Sequence, residues 1–144
     1  MKEVQIKKLT ETAIIPTRGS EKAAGYDLYC DDEIVSIWPG QCAKVSTGLS
    51  ITPPEGYFGA IFARSGAATK QGLRPANCVG CCDEDYTGPY MVALYNDSDK
   101  IQTIARGDRI AQLVFLPYLD VNFVEVNELE KTERGAGGFG STGK

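Results

Sequence analysis

The sequence predicts an all-β fold, a sandwich or jelly-roll-like barrel built from many short strands. Sixteen glycines and seven prolines interrupt the 144-residue chain at short intervals. The segments between them are rich in Val, Ile, Thr, Tyr and Phe and alternate with a period of two, the spacing of a half-buried strand. Only the stretch 66–72 offers room for a helix, and the glycines at its ends leave barely two turns.

Taken in order, the segments that read as strands are 33–38, 43–49, 57–62, 90–96, 110–115 and 122–126. Within 43–49, Ala43, Val45 and Thr47 alternate with Lys44 and Ser46, so one face is marked for the core. The others follow the same logic, with aromatic or β-branched residues at every second position. The last eleven residues, from Arg134 to Lys144, form a polar, glycine-dense tail. Glycine loses the most backbone freedom on ordering, so this tail is expected to stay mobile until a ligand or neighbour holds it.

The length suits one domain spanning 1–144. Apolar residues make up 42% and charged residues 24%, which are globular values, and no stretch approaches the roughly 18 apolar residues of a membrane span. No membrane association is expected. The start carries charge without an apolar run behind it, which favours an intracellular, cytoplasmic address and leaves a nuclear one open. Five cysteines, an odd number, argue for free thiols over a disulfide framework. A net charge of −4 gives no counterion-release drive toward a nucleic acid. A small anion remains compatible if basic residues converge locally. There is no histidine, which excludes Ser-His and Cys-His catalysis and leaves Asp, Glu, Lys or Tyr to move protons.

Several segments carry chemistry. The tail matches G-x-G-x-x-G from Gly135 to Gly140 and the first seven positions of a P-loop from Gly138 to Lys144, but both motifs need a following helix and none is available. Its amides and hydroxyls can still cradle phosphate oxygens, and Arg134 could clamp one. Ala63-Arg64-Ser65-Gly66 sets an arginine fork beside a hydroxyl at a helix start, which suits an anion; the plainer reading is a surface Arg beside a capping Ser. The stretch 77–88 reads as a hairpin whose apolar arm enters an acidic turn containing Asp83 and Asp85. Cys78, Cys81 and Cys82 form C-x-x-C-C, but with no second such pair and no histidine they read as small apolar strand residues rather than a zinc site. The strings 24–28 and 107–113 are each compatible with a turn and a half-buried strand.

In this order, Ala24 to Leu28, Arg64 to Gly66, Asn77 to Gly88, Gly107 to Leu113 and Arg134 to Gly143 resemble the five signature motifs of the trimeric dUTPase family. The resemblance implies a jelly-roll-like subunit with a C-terminal arm, residues 133–144, that reaches a neighbouring subunit. It also implies a homotrimer with shared active sites that hydrolyses dUTP to dUMP and pyrophosphate, limiting uracil in DNA and supplying dUMP for dTMP synthesis. By position, Asp83 corresponds to the general base that aims a water at the α-phosphorus. Arg64, Ser65, Gln112 and Arg134 correspond to phosphate contacts, with Gly66 beside them and Gly140, Ser141 and Thr142 in the tail. Asp27 corresponds to a residue that holds Mg2+ through water. Asn77 and the backbone of Gly80, Cys81, Cys82 and Asp83 correspond to the uracil-reading groups, Tyr86 to the ring packed on deoxyribose, and Phe139 to the ring that stacks over uracil. Met91 is a weaker contact. The chain departs from the usual pattern at Cys81 and Cys82, which replace Val or Leu and Ile, at Pro89, which replaces a common Glu, and at Ala67, which replaces a common Leu. The double cysteine implies sensitivity to oxidation. dCTP deaminase shares the fold, but the string Asp83-Glu84-Asp85-Tyr86 favours dUTPase.

Overall fold

The computed structural model describes residues 3–138. It is an all-β jelly roll with eleven strands among those residues and one short helical turn. The strands are β1 (Gln5–Lys8), β2 (Tyr26–Tyr29), β3 (Ile34–Ile37), β4 (Cys42–Ser46), β5 (Leu49–Thr52), β6 (Tyr57–Phe62), β7 (Leu73–Pro75), β8 (Gly80–Cys82), β9 (Met91–Asn96), β10 (Gln102–Ala105) and β11 (Arg109–Pro117). The largest sheet has the order β2-β11-β6-β8, and a three-stranded sheet has the order β4-β9-β7. The pairs β1-β5 and β3-β10 complete the framework, and every pairing is antiparallel.

The core lies between the larger sheets. Leu28, Ile61 and Leu113 from one and Val45, Val92 and Leu94 from the other belong to a single hydrophobic cluster, each no more than 3% exposed. Alternation explains the selection: along β9 the burial runs exposed, buried, half-buried, buried, half-buried, buried, so every second side chain enters the core. The predicted helix over 66–72 is one π-helical turn, Ala67–Gln71, closed by Gly72 at φ 68°. That left-handed backbone favours glycine, and a Cβ there would lie 2.9 Å from the Ser98 backbone nitrogen.

Two predicted strands differ from what forms. The stretch 43–49 is divided, because Gly48 at φ 65° turns the chain from β4 into β5. A Cβ at Gly48 would sit 2.4 Å from Asp31 Oδ2, so the turn is packed against a carboxylate as well as bent. The second correction is 122–126, which pairs with nothing and is not a strand. Its alternation is that of a half-buried strand, yet Phe123 is 96% and Val124 77% exposed. A strand needs a neighbour for its ladder, and this chain supplies none there.

Candidate active site

The sheet of β2, β11 and β6 sets one group of side chains. On β11, Gln112 lies opposite Asp27 of β2 on one side and Phe62 of β6 on the other. A register shift between Arg109 and Ala111 re-aims the start of β11. Residues directly opposite share a face, so Asp27 and Gln112 are brought together, as are the residues that follow β6. Arg64 donates from Nε to Asp27 Oδ1 at 2.8 Å, and Arg109 donates from Nη1 to Asp27 Oδ2 at 3.3 Å. Gln112 donates from Nε2 to the Ala63 carbonyl at 2.9 Å. Gly25 gives Gln112 its space: a Cβ there would stand 2.5 Å from Gln112 Oε1.

Arg109 is a member of this group that sequence reading passed over, although it stands inside the string 107–113. Its guanidinium lines a polar cleft with Arg64, Asp108 and Thr103. Asp27 and Asp108 balance the two guanidinium groups in charge, yet each guanidinium keeps N–H donors beyond its bond to Asp27, which suits a phosphate chain. Ser65 is exposed and does not cap the helical turn: the capping position is Gly66, and no side chain bonds there. The plainer reading of Ser65 as a cap is therefore corrected.

Asp27 is a poor direct cation ligand in this arrangement, since an arginine occupies each of its oxygens. Each oxygen keeps a second lone pair, so contact with an ion through water fits. Among the described residues no three Cys, Asp or Glu side chains converge as a metal cage. An ion here would have to arrive on phosphate oxygens, the usual habit of Mg2+.

A second group surrounds a cleft of about 360 Å3 lined by Asn77, Gly80, Cys81, Cys82, Asp83, Tyr86, Met91 and Lys44, among others. Its size falls in the usual range for small-molecule sites. The hairpin expected over 77–88 is corrected: β8 pairs with β6, whereas β9 pairs with β4 and β7. The segment between β8 and β9 thus straps one sheet to the other. An apolar arm entering an acidic turn looked like a hairpin, but the strands on either side of the turn join different sheets. The strap turns at Asp83, whose carbonyl accepts from the Tyr86 amide at 3.2 Å. Asp83 lines this cleft and Asp85 does not, although both carboxylates border an adjoining cavity with Glu84 and Tyr118. Tyr86 donates its hydroxyl to the Pro89 carbonyl at 2.9 Å, which fixes the ring. A Cβ at Gly88 would lie 2.6 Å from that same hydroxyl.

The thiols here are quiet. Burial, then the Asp83 charge, pushes Cys81 above the usual thiol value, and its Sγ sits 3.6 Å from Asp83 Oδ1 as donor. Burial also pushes Cys82 up, against a smaller opposite pull from the Tyr90 hydroxyl. Raised thiols carry little thiolate at neutral pH, so the oxidation sensitivity expected of the pair is opposed by its surroundings. All five cysteines are free.

Neither Arg64 nor Gln112 lines the Asp83 cleft, and no side-chain hydrogen bond or ion pair joins the two groups among the described residues. Arg134 lies further away in sequence, on the exposed stretch after β11, where its Nε donates to the Gly137 carbonyl at 2.9 Å. Phe139, Gly140, Ser141 and Thr142 lie outside the described residues.

Comparison with known proteins identifies the family to which the chain belongs. The chain is 48% identical over 138 residues to deoxyuridine 5'-triphosphate nucleotidohydrolase of Hydrogenobaculum sp. (strain Y04AAS1), covering 96% of each. Its fold superposes with a TM-score of 0.89, at 30% identity and over all of both chains, on a mutant Staphylococcus bacteriophage 80alpha dUTPase with dUpNHpp. A mutant phage phi11 dUTPase of S. aureus, described as revealing the coordination of a structural Mg(II) ion, matches at 28% identity with a TM-score of 0.79, over 90% of this chain and all of that one. The family model for dUTPase matches residues 11–143, and the chain belongs to the dUTPase family.

Proposed function

We propose that this dUTPase hydrolyses dUTP to dUMP and pyrophosphate by attack of an Asp83-activated water on the α-phosphorus, in active sites shared within a homotrimer. The observation that carries the reading is the placing of Asp83 at the rim of the cleft that also holds Asn77, Gly80, Tyr86 and Met91. A carboxylate beside a nucleoside-sized cleft is placed to accept a proton from a water there.

The roles follow from the groups each position offers. Asn77 and the backbone of Gly80 to Asp83 read the uracil edge, and cytosine, with donor and acceptor exchanged, leaves them unpaired and is rejected. The fixed Tyr86 ring packs on deoxyribose and leaves no room for a 2′-hydroxyl. Arg64, Ser65, Gln112 and Arg134 hold the phosphates, with Arg109 adding charge beside Arg64. Asp27 holds both arginines and meets Mg2+ through water. When bound, Mg2+ supplies positive charge that offsets the triphosphate in an acidic protein. The product dUMP lies on the way to dTMP, and its formation keeps uracil out of DNA.

The trimer is supported by two features of the single chain. Its phosphate-binding and uracil-binding groups are apart, and the stretch between β11 and the arm of 133–144 carries Leu119, Phe123, Val124 and Leu129, each at least 77% exposed. Covering four such side chains is worth on the order of 6–10 kcal/mol, enough to hold that stretch on a neighbour. Residues beyond 138, with Phe139 as the ring over uracil, then close the site from another subunit.

The test is pyrophosphate release by purified protein from dUTP, dCTP, UTP and dTTP with Mg2+, alongside Asp83→Asn. Turnover of dUTP alone, lost by orders of magnitude in Asp83→Asn with dUTP binding kept, is the expected result. Ammonia released from dCTP, or full turnover by Asp83→Asn, would overturn it.

A further inference from the structure

The residue next to the proposed base has no role in the reading above, yet it is bound more tightly than its half-buried position requires. Glu84 Oε2 accepts from the Gly56 amide at 2.6 Å and from the Tyr118 hydroxyl at 2.8 Å. Those two donors are themselves joined, since the Tyr118 amide donates to the Gly56 carbonyl at 3.2 Å. One carboxylate oxygen therefore ties three segments: the turn before β6, the residue after β11, and the strap that begins at Asp83. Gly56 has φ 77°, the left-handed backbone that turns the chain there and that a side chain would resist.

We propose that Glu84 is a positioning residue for the reaction, holding the Asp83 carboxylate in register against the end of β11 through Gly56 and Tyr118. The proposal rests on Asp83 being the base. Adjacent residues share a peptide plane, so fixing the Glu84 side chain limits how Asp83 can swing. The opposite end of the strap is already fixed by Tyr86 on Pro89. Without Glu84 the near end would keep the three-residue β8, the Tyr86 amide on the Asp83 carbonyl and the long Cys81 thiol contact, none of which ties it to the end of β11. Asp83, Glu84 and Tyr118 also line one common cavity, so base and tether face the same space.

Tyr118 adds a consequence, because it is the first residue of the exposed stretch that leaves the body after Pro117. The tether thus joins the point where that stretch departs to the base that acts in the chain's own cleft.

Three variants test this on the full chain. Glu84→Ala is expected to lower kcat on the order of tenfold to a hundredfold, with KM for dUTP and trimer mass unchanged. Glu84→Gln keeps an acceptor oxygen for both donors and is expected to restore most of kcat. Tyr118→Phe is expected to lower kcat less than Glu84→Ala, and the double variant to be no worse than Glu84→Ala alone, since both cut one tether. Normal kcat in Glu84→Ala, a loss confined to KM, or equal loss in Glu84→Gln would overturn the proposal. Asp83→Asn run in parallel separates the two ideas: activity there defeats the base assignment, whereas a dead Asp83→Asn beside a fully active Glu84→Ala defeats only the tether.

Discussion

Arg64 Nε stands 2.8 Å from Asp27 Oδ1, linking the chain just after β6 to β2 over the intervening β11, and the ion pair is largely shielded, with Asp27 15% exposed. A carboxylate that also receives Arg109 sets the direction of both guanidinium groups. Asp27→Asn keeps the shape but removes the charge, so both arginines gain freedom before nucleotide arrives. A fall in kcat/KM for dUTP on the order of tenfold to a hundredfold is expected, from charge-assisted bonds worth roughly 1.5–3 kcal/mol. Steady-state kinetics check it, and an unchanged kcat/KM would remove Asp27 from the phosphate site.

Gly25→Ala separates function from folding. The added carbon meets the far end of the Gln112 side chain at 2.5 Å and its inner carbons at 3.3 Å, so Gln112 must leave the Ala63 carbonyl but the backbone need not move. A stability loss of about 1 kcal/mol is expected for the lost hydrogen bond, with a larger proportional fall in kcat/KM. Thermal melting beside kinetics reads both; a large loss of stability with normal activity in the surviving fraction would contradict the account.

Acid should expose the role of Asp31, which is 8% exposed. Burial tends to raise its pKa, but hydrogen bonds from Thr10 and Thr12, at 2.6 Å each, and the charges of Arg106 and Lys8 together hold it below the usual carboxylate range. A carboxyl more acidic in the folded chain than in the unfolded one stabilises the fold above the unfolded value. That contribution is lost as pH falls through the folded value. Asp31→Asn should therefore narrow the gap to wild type as pH drops from 5 toward 3, as read by denaturant midpoints at each pH. A constant difference across that range would show that the charge is not what stabilises.

Tyr90 is 1% exposed, and among the described residues its hydroxyl has no nitrogen or oxygen partner, only the Cys82 thiol nearby. The nearby Cys82 thiol is a weak substitute, and burial first, then the Cys82 neighbour, pushes the phenol far above its usual value. Tyr90→Phe removes a desolvated polar group without changing the ring, so stability should rise by about 1 kcal/mol. A lower melting temperature would reveal a partner, such as a buried water, that the hydroxyl holds.

Shortening the chain distinguishes the stretch after β11 from the arm. A protein ending at Tyr118 loses Leu119, Phe123, Val124 and Leu129 and should run as a monomer by light scattering. One ending at Glu133 keeps them and should remain a trimer with poor turnover. A trimer from the shorter chain would locate the subunit contacts elsewhere.

Much of this was legible in the residues. The strand at 57–62 emerged with its predicted limits and 90–96 within one residue, because alternation there meets a real core on one face. The role given to Asp83 comes from the resemblance of 77–88 to a family motif, since an acidic turn alone reads as solvated side chains. What could not be read was which ladder each strand joins: 77–88 looks like a hairpin because an apolar arm enters an acidic turn, and local sequence does not record that this arm pairs with β6. The same blindness made 122–126 a strand, since a pattern suited to burial does not say whose surface does the covering. Arg109 was missed because an arginine at a strand start is ordinary until its reach to Asp27 is seen, and Glu84 because a single acidic side chain gives no sign of its distant donors.

The strap from Asp83 to Tyr90 ends in a backbone gripped from the far side: the Tyr90 amide donates to the Leu49 carbonyl at 2.7 Å, and the Thr47 hydroxyl donates to the Tyr90 carbonyl at 2.7 Å. Its two ends are thus moored in different layers of the jelly roll. A newly made chain cannot shape its hydrolytic turn until both layers have come together, so competence for chemistry arrives as one of the last events of folding. Half-assembled molecules would then be silent toward nucleotide, and the appearance of activity during refolding should lag the burial of the core.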